Sequence, residues 1–201
     1  MRMRLLVPAT LAVLALVAAG CTSKVGVAAT YNGHTITDSQ VASYLTTAAQ
    51  PVQSQGNGGA TVEEPARTFV LTVMLQDRLF DKILNRLPGG RPSEATIQEQ
   101  ITTQLAGKTP DQIAQMYHIT GYTEAFVNLF VRVVVLNQTI SGLVQQGTVD
   151  PTSLLKNLDF HVTVSPRYGT WDPKAYGLDG SGGAGAPAFV TLRFPDAQPA
   201  R

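Results

Sequence analysis

Two long stretches of the sequence carry apolar side chains at helical spacing, and they constrain the fold more than any other feature. The first, EPARTFVLTVMLQDRLFDKILNRL, covers residues 64–87, and the second, TGYTEAFVNLFVRVVVLNQTISGLVQQG, covers residues 120–147. Apolar residues that recur every three or four positions form one face of an amphipathic helix, and that face must be buried. The two stretches therefore predict long helices and a mainly α-helical fold.

Asp77 is the only residue that breaks the apolar stripe of the first long helix. Two interpretations remain open: the carboxylate forms an ion pair with Arg78, Lys82 or Arg132, or it lies at the solvated edge of the stripe. We favour the edge, because charged side chains are almost never fully buried unless they are paired. Arg132, in the second long helix, is interpreted as a solvated or bridging side chain.

Capping signals predict three shorter helices. Thr37 with Gln40, and Thr109 with Gln112, have the spacing of a capping box, in which each side chain satisfies a backbone N–H group at the start of a helix. Ser93 is placed to cap the third helix, because a serine hydroxyl accepts from the free N–H groups of the first turn. The two long helices are thus accompanied by several short ones.

Two regions lack any regular hydrophobic pattern. The helix after Thr37 is expected to end near residue 50, where the Gly- and Gln-rich sequence PVQSQGNGGA begins, and residues 51–60 are predicted to form a mobile loop. Residues 177–201 begin with GLDGSGGAGAP and contain little that can be buried, so we expect a flexible C-terminal tail.

Two short segments alternate apolar and polar residues in the pattern of β-strands. Residues 25–31 are followed by Asn32 and Gly33, a pair that tolerates the positive φ angles of a type I′ hairpin turn. Residues 160–164, FHVTV, alternate in the same way, and Pro166 ends this segment because proline cannot donate to a strand ladder. We predict that the two segments pair within a small β-sheet.

The residues after the second strand admit two interpretations. Tyr168, Gly169 and Trp171 follow Pro166 in an aromatic stretch with an arginine, and such residues are frequent in binding hot spots. The same stretch could instead form the exit turn of the strand. We favour this structural role, in which Tyr168 and Trp171 cover the end of the sheet.

The N-terminus has the features of an export signal. Arg2 and Arg4 precede the apolar residues 5–19, a run too short to cross a bilayer comfortably. The run ends in VAAGC, which resembles the lipobox of bacterial lipoproteins, although alanine stands where leucine is usual. The resemblance implies that residues 1–20 are removed as a signal peptide and that Cys21 is lipidated.

A lipidated Cys21 would anchor the protein to the extracytoplasmic face of the cell membrane. Residues 21–24 would form only a short tether. The alternative is an ordinary signal peptide or an uncleaved anchor helix. Cys21 is the only cysteine of the chain, and a single thiol in an exported protein has no disulfide partner within the chain. Acylation gives this cysteine a role, since two acyl chains anchor a protein stably.

Charge and residue spacing argue against several classes of function. The chain has 15 Lys and Arg against 14 Asp and Glu, so loss of Arg2 and Arg4 leaves 13 against 14, which argues against a nucleic-acid partner. His34, His118 and His161 are too widely spaced for a metal motif, and no G-x-S-x-G nucleophile motif occurs. We therefore expect no metal, no cofactor, no small-molecule substrate and no enzymatic activity.

The order of these features resembles the peptide-binding domain of SurA/PrsA-type extracytoplasmic folding factors, and the chaperone region of trigger factor. ATYNGHTITDSQV at residues 29–41, GYTEAFVNLFVRVVVLNQTI at 121–140 and VTVSPRYGTWDP at 162–173 carry the resemblance. It implies a helical domain over residues 25–176, closed by pairing of its N-terminal and C-terminal strands. Many relatives insert a parvulin isomerase domain where this chain has only residues 141–159, so prolyl-isomerase activity is expected to be absent.

The resemblance also implies a cradle of helices that binds unfolded or partly folded exported polypeptides. Seven aromatic and methionine residues are candidates for this client-binding surface, with core packing as the alternative for each: Phe69, Met74, Phe80, Met116, Tyr117, Phe126 and Phe130. Methionine and aromatic side chains suit such a surface because they can adapt to varied partners. A scaffold or subunit lipoprotein that holds one specific envelope protein is the alternative function.

Overall fold

The computed structural model describes residues 26–55, 61–87, 90–105, 107–148, 158–172 and 177–179. The predicted signal peptide, Cys21, the short tether and residues 180–201 of the predicted tail lie outside the described residues. The described chain is mainly helical with a small antiparallel sheet, so the predicted fold class is confirmed at this level.

Five helices form the larger part of the described chain. They are α1 (Asp38–Ser43), α2 (Ala66–Leu84), α3 (Glu94–Leu105), α4 (Pro110–Met116) and α5 (Glu124–Gln145). The two long helices predicted from the apolar stripes are α2 and α5. The capping boxes predicted at Thr37 and Thr109 are both formed, and the Ser93 hydroxyl accepts from the Thr96 N–H group at 3.1 Å.

Helix α1 is shorter than the sequence predicts, because the chain leaves the helix after Ser43 to contact the segment before α5. Leu45 forms an isolated β-bridge with Tyr122, and the Thr46 N–H group donates to the Gly121 carbonyl at 3.1 Å. These contacts join residues that are far apart in the sequence. A local capping and periodicity argument therefore could not place the end of the helix.

The core lies between α2 and α5 and is built around a cluster of aromatic rings. The ring centroid of Phe126 lies 5.6 Å from that of Phe69, 4.8 Å from that of Tyr122 and 5.9 Å from that of Tyr44. Phe69, Phe126 and Phe130 are completely buried. Pairs of rings at these separations stabilise a core beyond the area that they bury.

Helix α5 is long and apolar enough to cross a membrane by length and composition, with 22 residues and a mean hydropathy of 1.5. In the described structure it contacts α2, α3 and α4. Its apolar residues are therefore accounted for by the core of the domain, where a central helix needs apolar side chains on more than one face.

Seven short strands complete the described chain. They are β1 (Val27–Tyr31), β2 (His34–Thr37), β3 (Val52–Gln55), β4 (Thr61–Glu64), β5 (Val162–Val164), β6 (Thr170–Asp172) and β7 (Gly177–Asp179). The largest sheet has the order β2-β1-β5 and is antiparallel. Strand β1 pairs with β5 in the register Ala29–Val164, Thr30–Thr163 and Tyr31–Val162.

The Asn-Gly turn between β1 and β2 adopts the predicted conformation, with φ of 45° at Asn32 and 82° at Gly33. Asn32 also fixes the chain that leads into β5. Its side-chain oxygen accepts from the His161 N–H group at 2.9 Å, and its side-chain nitrogen donates to the Asp159 carbonyl at 3.0 Å. One side chain therefore holds together segments from the two ends of the described chain.

The segment after β5 forms a turn that packs against the domain. Pro166 opens a 3₁₀ turn (Pro166–Tyr168), and Gly169 follows with a φ of 94°, a conformation that favours glycine. Tyr168 is buried, and its hydroxyl donates to Asp38 Oδ1 at 2.8 Å. Trp171 is partly buried, and its ring lies 6.1 Å from that of Phe160.

The predictions of a mobile loop and of a domain end at residue 176 are wrong. The stretch predicted as a mobile loop contains β3, which pairs with β4 directly after the stretch, and residues 56–60 lie outside the described residues. The folded domain also does not end at residue 176. Strand β7 pairs with β6, and Leu178 is buried in the core next to α2. The sequence shows no strand pattern here, because the segment is rich in glycine and only one of its side chains, that of Leu178, packs into the core.

We predict that Gly121→Ala destabilises the chain, whereas Gly142→Ala stabilises it. Gly121 has a φ of 85°, and a Cβ atom there would lie 2.3 Å from the Ala48 carbonyl oxygen. We expect Gly121→Ala to lower the free energy of unfolding by about 2 kcal/mol. Gly142 lies in α5 with open space around it. Alanine at this position should therefore raise the free energy of unfolding by about 0.5–1 kcal/mol. Urea unfolding of the full chain measures both, and an unchanged midpoint for Gly121→Ala would contradict the first expectation.

Candidate functional site

A network of charged side chains connects α2, α3 and α5. The Arg132 guanidinium, on α5, donates to Asp77 Oδ1 at 3.0 Å and to Asp81 Oδ1 at 3.1 Å, and it also pairs with Glu94. Arg91 donates to Asp81 Oδ1 at 2.9 Å and to Glu94 Oε2 at 2.8 Å. Two arginines are therefore held by three carboxylates. We call these five residues the charged network.

The helices position the network by simple spacing. Asp77 and Asp81 are four residues apart on α2 and so lie on the same face of that helix. Glu94 is the first residue of α3, where a carboxylate also interacts favourably with the helix dipole. Arg132 lies in the middle of α5, which contacts both other helices. The network thus forms where the three helices meet.

Asp77 does not lie at the solvated edge of its helix, so the interpretation favoured from the sequence is wrong. It is 5% exposed and pairs with Arg132, with a second and longer contact to Arg78 at 3.8 Å. The alternative of an ion pair is correct. A buried carboxylate needs such a partner, because an isolated charge in the interior costs several kcal/mol.

Burial and charge act in opposite directions on the Asp77–Arg132 pair. Burial raises the pKa of Asp77 above its ordinary value, although Arg132 opposes the shift. Burial alone would lower the pKa of Arg132, but the carboxylates of Asp77, Glu94 and Asp81 together raise it. The arginine therefore stays charged, whereas the raised pKa of Asp77 means that burial outweighs the attraction of Arg132 for that carboxylate.

A cleft of about 680 Å³ lies beside the charged network, between α2, α3 and α5. Its lining combines the network with Arg78, two polar side chains and three apolar ones: Gln98, Asn128, Ile101, Leu105 and Leu129. The volume falls in the range of ligand-binding clefts. The fixed pattern of charge suits the recognition of one complementary polar surface better than contact with many unrelated apolar segments.

The structure does not bring the seven candidate client-binding residues together on a surface. Phe69, Phe80, Phe126 and Phe130 are completely buried, so their assignment to a client-binding surface is corrected to core packing. Met74 and Tyr117 are partly buried against the same core. Met116 is 49% exposed and is the only large hydrophobic side chain that is exposed among the described residues.

The remaining sequence-level candidates lie away from the cleft. His34, His118 and His161 are all exposed. Within the described ranges, no group of three or more His, Cys, Asp or Glu side chains is arranged to hold a metal ion. The site is thus characterised by paired charges and not by a cluster of metal ligands.

Sequence reasoning missed most of the charged network. No sequence pattern distinguished Asp81, Arg91 or Glu94, because each is an ordinary charged residue in its own segment. A usable signal was present: Asp77 and Asp81 share a face of a helix with an apolar stripe, and Arg132 interrupts a run of valines. Opposite charges on two core helices indicate a pair across their interface.

Comparison with protein-family models, with curated proteins and with solved structures found no match for this chain.

We predict that Arg132→Met destabilises the chain by about 3 kcal/mol, because Asp77 is then left buried and unpaired. Asp77→Asn added to Arg132→Met should restore at least about 1 kcal/mol, since it removes the unpaired charge. Urea unfolding of the two single variants and the double variant measures this coupling. Arg78→Met is the matched control: its side chain is 54% exposed and 3.8 Å from Asp77, so we expect a change within about 0.5 kcal/mol. Additive effects of Arg132→Met and Asp77→Asn would contradict the pairing.

A second prediction concerns pH. The pKa of Asp77 is raised in the folded chain above its ordinary value of 3.8, so the folded state binds the proton more tightly than the unfolded state. The resulting stabilisation is complete below the ordinary pKa and is lost as the pH rises through the folded pKa. The free energy of unfolding of the native chain, relative to that of Asp77→Asn, should therefore fall as the pH rises through this window. Urea unfolding across the acid range tests the sign, and a relative stability that rises with pH would refute it.

Proposed function

We propose that the chain is a lipid-anchored extracytoplasmic protein whose SurA-like helical domain holds one specific protein partner at the cell membrane. The observation that carries this proposal is the closed core. A general chaperone needs an open apolar surface, because unfolded polypeptides are recognised through their apolar side chains. Here the aromatic residues that could supply such a surface fill the interface between α2 and α5.

The charged cleft supports a specific partner. Its ion pairs are held at 2.8–3.1 Å by residues from three helices and from the connection before α3. Charges fixed in this way recognise a complementary arrangement and repel others, which gives specificity more than affinity. Asn128 and Gln98 are exposed side chains of the cleft and can form hydrogen bonds with a docked segment.

The strand arrangement supports the SurA-like assignment. In that family the first and last strands pair, and here β1 pairs with the distant strand β5, while the following strands β6 and β7 pair with each other. The anchor is proposed from the sequence around Cys21. It would place the domain close to the membrane, because only a few residues separate Cys21 from β1.

Binding of unfolded or partly folded exported polypeptides is the second candidate function. It is favoured by a different cleft, of about 530 Å³, between the end of α1 and the start of α2. Its lining includes Ala42, Leu45, Pro51, Pro65 and Ala66, and it is mainly apolar. A short apolar side chain of an extended polypeptide would fit against these residues.

Capture of bound proteins tests both candidates. The full chain, tagged at its C-terminus and expressed in its own host, is crosslinked and purified. The first proposal predicts one partner in stoichiometric amount. Asn128→Lys, at the charged cleft, should lower its recovery at least about tenfold, whereas Ala125→Lys on the same helix should not. Both residues are exposed, so the pair is matched for helix, charge and burial.

Other outcomes separate the alternatives. A broad set of exported proteins, lost on Leu45→Lys and retained on Asn128→Lys, would replace the first proposal with the second. Equal recovery of a partner in all variants would contradict both assigned clefts. Cys21→Ser should release the chain from the membrane fraction, and an unchanged membrane fraction would overturn the lipid anchor.

A further inference from the structure

The described residues leave open the mainly apolar cleft between the end of α1 and the start of α2. Its volume is about 530 Å³, and Arg67 is the one charged residue that the described chain places in its lining. Leu45 and Ala66 belong to this lining and also pack against the core. The cleft is therefore an apolar recess on a folded body, and burial of such a surface is favourable.

The described chain ends near this cleft. Asp179, the last described residue, pairs with Thr170 in the β6–β7 ribbon. Thr170 follows Gly169, which lines a small cavity together with Pro65 and Arg67. Pro65 and Arg67 also line the apolar cleft. The segment that continues from Asp179 therefore starts close to the cleft.

The sequence after Asp179 has two distinct parts. Residues 180–187, GSGGAGAP, are small and rich in glycine, which is typical of a flexible linker. Residues 188–194, AFVTLRF, are the exception in a tail that otherwise has little to bury. In this segment an extended conformation would place four apolar side chains on one face: Ala188, Val190, Leu192 and Phe194.

The linker is long enough to bring this segment to the cleft. Eight residues span at most about 28 Å when extended and about 16 Å on average as a flexible chain. The path from Asp179 crosses one strand pair, one peptide unit and a cavity of about 220 Å³, which is roughly 20 Å in all. A segment on so short a linker has an effective concentration on the order of 1 mM, so even a contact of millimolar affinity would be half occupied.

The backbone of an extended segment also needs hydrogen-bond partners, and the β3–β4 ribbon offers them beside the cleft. Pro51 and Pro65 line the cleft, and they directly precede β3 and directly follow β4. In the described chain this ribbon has two strands, so its outer edges carry backbone groups that no described strand pairs. An isolated two-stranded ribbon is marginally stable in water, and a third strand would stabilise it.

We propose that residues 188–194 of this chain occupy the apolar cleft as an extended segment, with the apolar face toward the cleft and the backbone along the β3–β4 ribbon. The C-terminal segment is then the resident partner of this cleft, and an exported polypeptide binds there only by displacing it. The charged cleft is a different surface, so this inference and the proposed specific partner can fail separately.

Disulfide trapping tests the contact in the full chain, with Cys21→Ser so that the introduced cysteines are the only two. Thr47→Cys, at an exposed position in the lining of the cleft, is combined in turn with Val190→Cys, Leu192→Cys and Phe194→Cys. The fastest of these pairs should form its disulfide within one chain at least tenfold faster than the same cysteine combined with Glu99→Cys. Glu99 is the matched control, because it is exposed on α3 and does not line the cleft.

Nuclear magnetic resonance of the full chain gives a second reading. Leu192→Asp should shift the amide signals of Leu45 and Ala66, because a charge on the apolar face releases the segment. Thr191→Asp, on the opposite face of the segment, should leave these signals in place, and the signals of α3 report that the fold is intact. A synthetic peptide of residues 187–195, added to the Leu192→Asp chain, should return the shifted signals toward their native positions in a saturable manner.

The outcomes distinguish the possible occupants. Equal trapping at Thr47 and Glu99, or equal shifts in Leu192→Asp and Thr191→Asp, would overturn the proposal. Disulfides formed between chains instead of within one would assign the cleft to a second copy. An unfolded probe, reduced and carboxymethylated lactalbumin, should bind the Leu192→Asp chain at least tenfold more tightly than the native chain. Equal binding to both chains would leave the cleft to external polypeptides and would overturn the internal occupant.

Discussion

The packing of α2 against α5 is the contact to which the other elements attach. α3 and α4 pack against α5, whereas α1, β1, β7 and the 3₁₀ turn contact α2. The buried rings of Phe69, Phe126 and Phe130 lie in this interface. Because each smaller element buries too little apolar surface to fold alone, its position depends on the faces that the two long helices present.

The charged network is a consequence of this packing. Where α2 and α5 approach each other beside α3, Asp77 is removed from water and Arg132 is its nearest compensating charge. Replacement of a buried ion pair by well-packed apolar residues is often neutral or stabilising, so the pair is weak evidence for a purely stabilising role. Under the proposed function, the network contributes specificity, and the adjacent cleft is the surface where a partner would contact it.

The two ends of the described chain meet through polar contacts as well as through strand pairing. Asn32 binds the segment before β5, while Arg167 and Tyr168 bind Asp38 at the start of α1. The Pro-Arg-Tyr-Gly sequence therefore attaches the C-terminal segment to the N-terminal one. With a lipid on Cys21, this attachment would hold both ends of the domain near the membrane, which suits a protein that presents a partner there.

Periodicity and capping in the sequence determined the long helices, the N-termini of the three shorter helices and the Asn-Gly turn, because these depend on residues within a few positions of each other. Only the tertiary structure decided the early end of α1, the pairing of Trp171 with Leu178 and the burial of Asp77. Each of these depends on a partner that is distant in the sequence or on the packing of separate elements. The same reason explains why the exposed Met116 and the buried aromatic candidates could not be told apart from sequence: periodicity identifies an apolar face, and only packing shows what covers it.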